Sequence, residues 1–106
     1  MNEKQLENLI FQYLKYREGF FFKINTIGVY DKDKGIYRKN INPNIITGTS
    51  DILGVVRGRF IAMEVKTKQN KKRPKEQIDF IDMVNKNGGL ADFITSINDV
   101  ERLLNE

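Results

Sequence analysis

Asp51, Glu64 and Lys66 are two carboxylic acids and an amine at a spacing that could gather them around one divalent cation. They bracket two apolar runs, Ile52-Leu53-Gly54-Val55-Val56 and Phe60-Ile61-Ala62-Met63, joined through Arg57-Gly58. β-Branched and aromatic residues dominate both arms, which reads as a β-hairpin. A two-residue turn sets Val56 against Arg59, and the register carried back sets Asp51 opposite Glu64. Directly opposed residues have Cβ atoms roughly 4.5–5.5 Å apart, where like charges repel. A cation shared by the carboxylates removes that repulsion, and Mg²⁺ is commonly held by one or two carboxylates. Lys66, two residues beyond Glu64, emerges on the same face of the strand. Leu53, Val55, Phe60 and Ala62 share that face, so burial without a cation would raise the pKa of the acids and cost stability.

A Glu-x-Lys on a strand is by itself most often a surface ion pair. Three features strengthen the pattern: the cross-strand register of Asp51, a Gly48 that lets the chain turn, and a basic loop behind Lys66. Lys68, Lys71, Lys72, Arg73 and Lys75 crowd that loop. Basic runs are commonly solvated faces, but beside an acidic patch they would supply salt-sensitive, sequence-independent contacts to nucleic-acid phosphates.

The surrounding elements must bring further groups to this patch. Leu6, Leu9, Ile10, Tyr13 and Leu14 recur at helical spacing, which predicts an amphipathic helix over 3–17, ended by Gly19. Glu7 stands at the margin of its apolar stripe; taken alone it reads as a solvated helix glutamate. Residues 20–25 read as a buried strand. The polar stretch from 28 to 47 is long for a loop inside one domain. Its Tyr30, Tyr37, Arg38 and Lys39 could engage nucleic acid, and a surface excursion with a short hairpin is an equal reading. Pro74 opens a second helix through Ile78, Phe80, Ile81 and Val84 to Gly88-Gly89, with Gln77 in its first turn. A strand over 90–95 follows, and Asn98 or Asp99 can cap a last helix carrying Val100, Leu103 and Leu104. This order describes an α/β protein, a mixed β-sheet flanked by helices.

At 106 residues the chain is long enough for one domain, 1–106, and one modest core. It contains no cysteine and no histidine, which excludes disulfides, thiolate zinc sites, cysteine nucleophiles and imidazole acid/base chemistry. Any metal must take oxygen ligands, favouring Mg²⁺, Mn²⁺ or Ca²⁺. A net charge of +4 fits a polyanionic partner, although a mild lysine excess also serves solubility. No apolar run suggests a signal peptide or a membrane span, so the expectation is a cytoplasmic protein of a bacterial or phage-infected cell.

Glu7, Gly48-x-x-Asp51, Glu64-Val65-Lys66 and Gln77, carried in order on helix, strand, strand and helix, resemble the motifs of the PD-(D/E)XK nuclease superfamily. Within it the chain is most similar to a minimal, stand-alone VRR-NUC domain, the virus-type replication-repair nuclease. The resemblance runs from about Glu3 to the last strand. Ser50 stands where many members carry the proline of a Pro-Asp pair, a residue that stiffens the approach and is not a ligand.

The resemblance implies a restriction-endonuclease-like core in the order α-β-β-β-α-β-α. It implies Asp51 and Glu64 as ligands of Mg²⁺ or Mn²⁺, with the Val65 backbone carbonyl as a third. Lys66 would place or activate a water, Gln77 would orient Lys66 or the phosphate, and Glu7 would hold a water or a second ion. Glu3 is the alternative helix acid. The activity implied is a structure-selective DNA endonuclease, similar to Holliday-junction resolvases, acting as a homodimer in replication, recombination or repair. The N-terminal or the last helix would supply the interface, and no small-molecule cofactor is implied. Two other readings keep the same residues: a non-catalytic nucleic-acid-binding module on a nuclease scaffold, and a structural protein. In the structural protein, Asp51 and Glu64 would point to opposite faces.

Overall fold

In a computed structural model that describes residues 1–24, 29–31, 35–38, 44, 46 and 48–105, alternating apolar residues sort the chain into two layers around one sheet. The elements are α1 (Glu3–Leu14), β1 (Phe20–Phe22), β2 (Val29–Asp31), β3 (Ile36–Arg38), β4 (Ile52–Val56), β5 (Arg59–Val65), α2 (Lys75–Lys86), β6 (Leu90–Ile94) and α3 (Ile97–Leu104). The four-stranded sheet has the order β1-β4-β5-β6, antiparallel except for the parallel pair β5 and β6. The mixed sheet and its flanking helices agree with the α-β-β-β-α-β-α expectation. Within the excursion, β2 and β3 form a separate antiparallel ribbon carrying Tyr30, Tyr37 and Arg38; Lys39 lies outside the described residues.

Side chains that alternate along β4 and β5 face opposite helices. Ile52, Ile61, Met63 and Val65 pack with Leu90 and Ile94 of β6 against Leu6, Ile10 and Leu14 of α1 and Val100 of α3. Leu53, Ala62 and Ala91 form the other core with Ile81 of α2, flanked by Phe22, Phe80, Val84 and Phe93. Glu64 and Lys66 continue the Ala62 row, so the chemistry lies on the α2 side of the sheet. Truncating a fully buried member of the first core, such as Ile10 or Ile94, would cost about 2–5 kcal/mol.

Local chemistry moves several element ends from where periodicity puts them. α1 opens on a capping box, with the Asn2 side chain accepting from Gln5 N–H at 2.8 Å and Gln5 returning the bond to Asn2 N–H at 2.9 Å. It closes at Leu14, short of 17, because Tyr16 and Arg17 N–H groups turn back to the Tyr13 and Leu14 carbonyls. β1 ends at Phe22, short of 25. The cap of α3 is Ser96, not Asn98 or Asp99: its hydroxyl accepts from Asp99 N–H. The Asp99 carboxylate instead reaches back to the N–H and hydroxyl of Thr95, at 2.8 Å each. That bonding and Arg102 hold it below the usual carboxylate range against the opposing effect of burial.

Candidate active site

The β4–β5 register is the one a two-residue turn dictates. Val56 pairs with Arg59 and Ile52 with Met63, and both turn residues take positive φ, Arg57 at 49° and Gly58 at 79°. Two positive φ values match the twist of the flanking strands, which a bulge would have broken. Continued one residue, the register brings Asp51 opposite Glu64. Asp51 Oδ2 accepts from the backbone N–H of Val65 at 2.9 Å, so the acid bridges the two strands.

Glu64 has 4% of its surface exposed and Lys66 6%. Burial pushes the Glu64 carboxyl up to about 8. The negative charge of Asp51 and a carboxyl–carboxyl hydrogen bond with it add to the rise, while the Lys66 ammonium and the Asp51 backbone oppose it. The two acids therefore share one environment and lie on one face, as the structural-protein reading requires them not to. Glu64 Oε2 is buried with no hydrogen-bond partner. Lys66 is held through its backbone, which donates to the Ile94 carbonyl at 2.9 Å.

Gly48 explains how α2 reaches this patch. Its φ is +82°, and a Cβ there would lie 2.5 Å from the Glu76 carbonyl carbon and oxygen. The approach to β4 thus runs against the first turn of α2, the turn that carries Gln77. Gln77 Oε1 and Ser50 Oγ are, like Glu64 Oε2, buried and without a partner. The Ser50 hydroxyl, at the position where the superfamily motif has proline, is a polar group of the site that no sequence motif marks.

The helix acids do not join this pair. Glu7 forms an ion pair with Lys23, and Glu3 Oε1 accepts from Asn70 Nδ2 at 2.7 Å. Among the described residues no three acids gather in a group that could hold a metal ion. Of the basic loop, Lys68, Lys71 and Lys72 are exposed, and Lys75 pairs with Asp79 at 2.6 Å. Arg73 is half-buried and lies over the Phe93 ring, 4.6 Å from its centroid.

A solved VRR_NUC domain protein superposes on this chain with a TM-score of 0.69 over 99% of this chain and 86% of that one, at 16% sequence identity. The chain has the fold of a VRR_NUC domain. No protein-family model and no curated protein matches the sequence. At that identity the shared property is the nuclease-like α/β architecture itself. On this VRR_NUC fold Asp51 stands immediately before β4 and Glu64 in the last turn of pleat of β5, beside the parallel neighbour β6.

Proposed function

We propose that the chain is a metal-dependent endonuclease that hydrolyses phosphodiester bonds of branched DNA, in the manner of a Holliday-junction resolvase, in replication, recombination or repair. The observation that carries this reading is the pair Asp51 and Glu64, set together in an apolar layer of a VRR_NUC fold with Lys66 on the same face. A buried pair of like charges costs stability unless a proton or a cation is shared. The unpartnered Oε2 of Glu64 and a donor set made only of oxygens fit Mg²⁺ or Mn²⁺. Asp51, Glu64 and the Val65 carbonyl would hold that ion.

A divalent cation bound there would supply Lewis-acid chemistry, polarising the phosphate and acidifying a water. The chain's own groups do the rest. The Lys66 ammonium offsets charge that builds on the phosphoryl oxygens, and its burial strengthens that interaction. Gln77 Oε1 accepts a hydrogen bond from the attacking water or from Lys66 and orients it. Lys68, Lys71 and Lys72 hold flanking phosphates. Glu7, tied to Lys23, is assigned no step. A symmetric pair of chains would cut two strands of a junction, and the setting is the cytoplasm.

Incubation with four-way junction, flap and linear duplex DNA in Mg²⁺, Mn²⁺ or EDTA tests the reading. The expected result is metal-dependent cutting of branched substrates that leaves 5′-phosphate ends. No product from any substrate in either metal would sink it and leave a binding module on a nuclease scaffold.

A further inference from the structure

The loop between β5 and α2 is built around one side chain. Every polar group of Asn70 is engaged: its N–H with the Thr67 carbonyl and hydroxyl, its Oδ1 with Lys72 N–H, its Nδ2 with Glu3 and its carbonyl with Arg73 Nη1. The Glu3 bond, 2.7 Å long, joins groups 67 residues apart and ties the loop to the first turn of α1. Arg73 Nη1 donates to the Asn70 carbonyl at 2.8 Å and to the Lys72 carbonyl at 2.9 Å.

This loop fixes the Arg73 guanidinium over Phe93, on the face of the sheet that carries Glu64. Phe93 pairs with Glu64 in the β5–β6 ladder and shares its face, and the Arg73 guanidinium carbon lies over the Phe93 ring. Among the described residues no carboxylate pairs with Arg73, and its Nε and Nη2 have no partner. A planar guanidinium with one free edge, lying over an aromatic ring and held by two carbonyls, is preorganised to take two oxygens of one phosphate. Lys68, Lys71 and Lys72 are exposed point charges on flexible stems and have no such geometry.

We propose that Arg73 binds a backbone phosphate next to the scissile one, and that Asn70, anchored on Glu3, is the positioning residue that holds it there. The inference rests on the nuclease reading above for its substrate, a nucleic-acid backbone. It gives Glu3 a role as anchor of the loop and not as an acid of the metal site. An anchor needs only a hydrogen-bond acceptor, whereas a metal ligand needs the charge.

The test pairs DNA affinity, measured by fluorescence anisotropy across a salt series without activating metal, with cleavage in Mn²⁺. Arg73→Ala is expected to reduce the slope of log affinity against log salt by about 0.9, the contribution of one phosphate contact. Arg73→Lys keeps the charge and is expected to keep the slope while losing about tenfold in affinity. Asn70→Ala and Glu3→Ala are expected to raise KM about tenfold with little change in kcat, and Glu3→Gln to cut as the wild type does. A folded Arg73→Ala with the wild-type slope overturns the inference, as does loss of cleavage in Glu3→Gln. Either result leaves the nuclease reading standing if the wild type cuts. A wild type that binds with the expected Arg73 dependence but never cuts overturns only the nuclease reading, and one that does neither overturns both.

Discussion

The electrostatics of Glu64 set a pH dependence with a definite sign. Its carboxyl is raised from 4.5 in the unfolded chain to about 8 in the fold. Between those values the folded protein keeps a proton that the unfolded chain has shed. The metal-free protein therefore loses stability as pH rises from about 4.5 to about 8, with a slope approaching about 1.4 kcal/mol per pH unit. Thermal unfolding in EDTA should show this fall in the wild type and a flat profile in Glu64→Gln. Mn²⁺ should restore the wild type at pH 8 and leave the variant unchanged, because only the former regains a shared charge. Lys66 is the complementary probe. Lys66→Met preserves the buried stem and removes the ammonium, so the melting temperature should hold while cleavage falls by at least about a hundredfold.

At the scale of elements, the site depends on two turns. The hairpin turn sets the register that opposes the acids, and Gly48 sets the contact between the approach to β4 and α2. Gly48→Ala places a side chain at φ +82° and against the Glu76 backbone. Strain of that kind costs about 1–3 kcal/mol. The expected outcome is a lower melting temperature together with reduced cleavage, since the turn bearing Gln77 must give way; an unchanged variant would show that this contact does not position α2. The hairpin was legible in the sequence because the apolar arms and the central glycine are local signals. The same holds for α1, α2 and β6, whose apolar spacing is local too. The pairing of β1 with β4 was not legible, since Phe20-Phe21-Phe22 is equally apolar on every side and its neighbour lies some thirty residues away. Ser96 was missed as a cap because Ile97 follows it directly, leaving the polar Asn98 and Asp99 as the apparent helix start. The Arg73–Phe93 contact and the Asn70–Glu3 bond join separate elements, and no short-range pattern announces them.

At the scale of the molecule, a fold shared at 16% identity is held by two apolar cores, and the polar site occupies the gap that one of them leaves. Leu53, Ala62, Ile81 and Ala91 fill the α2 side of the sheet only part of the way. Beyond them the same face carries Asp51, Glu64 and Lys66, with the lysine-rich loop at its margin. On the proposed reading, a net charge of +4 would draw a polyanion to the whole surface, and the basic loop that follows Lys66 would concentrate it on the side of the acids. DNA affinity should accordingly fall with rising salt whether or not the substrate is branched, while cleavage should distinguish branched from linear DNA. The most direct test of the central claim is the single-turnover cleavage rate of a four-way junction in Mn²⁺ for the wild type and Glu64→Gln. The account predicts a rate at least about a thousandfold lower in the variant, with DNA affinity and circular dichroism unchanged. A Glu64→Gln protein that cuts at the wild-type rate would contradict it.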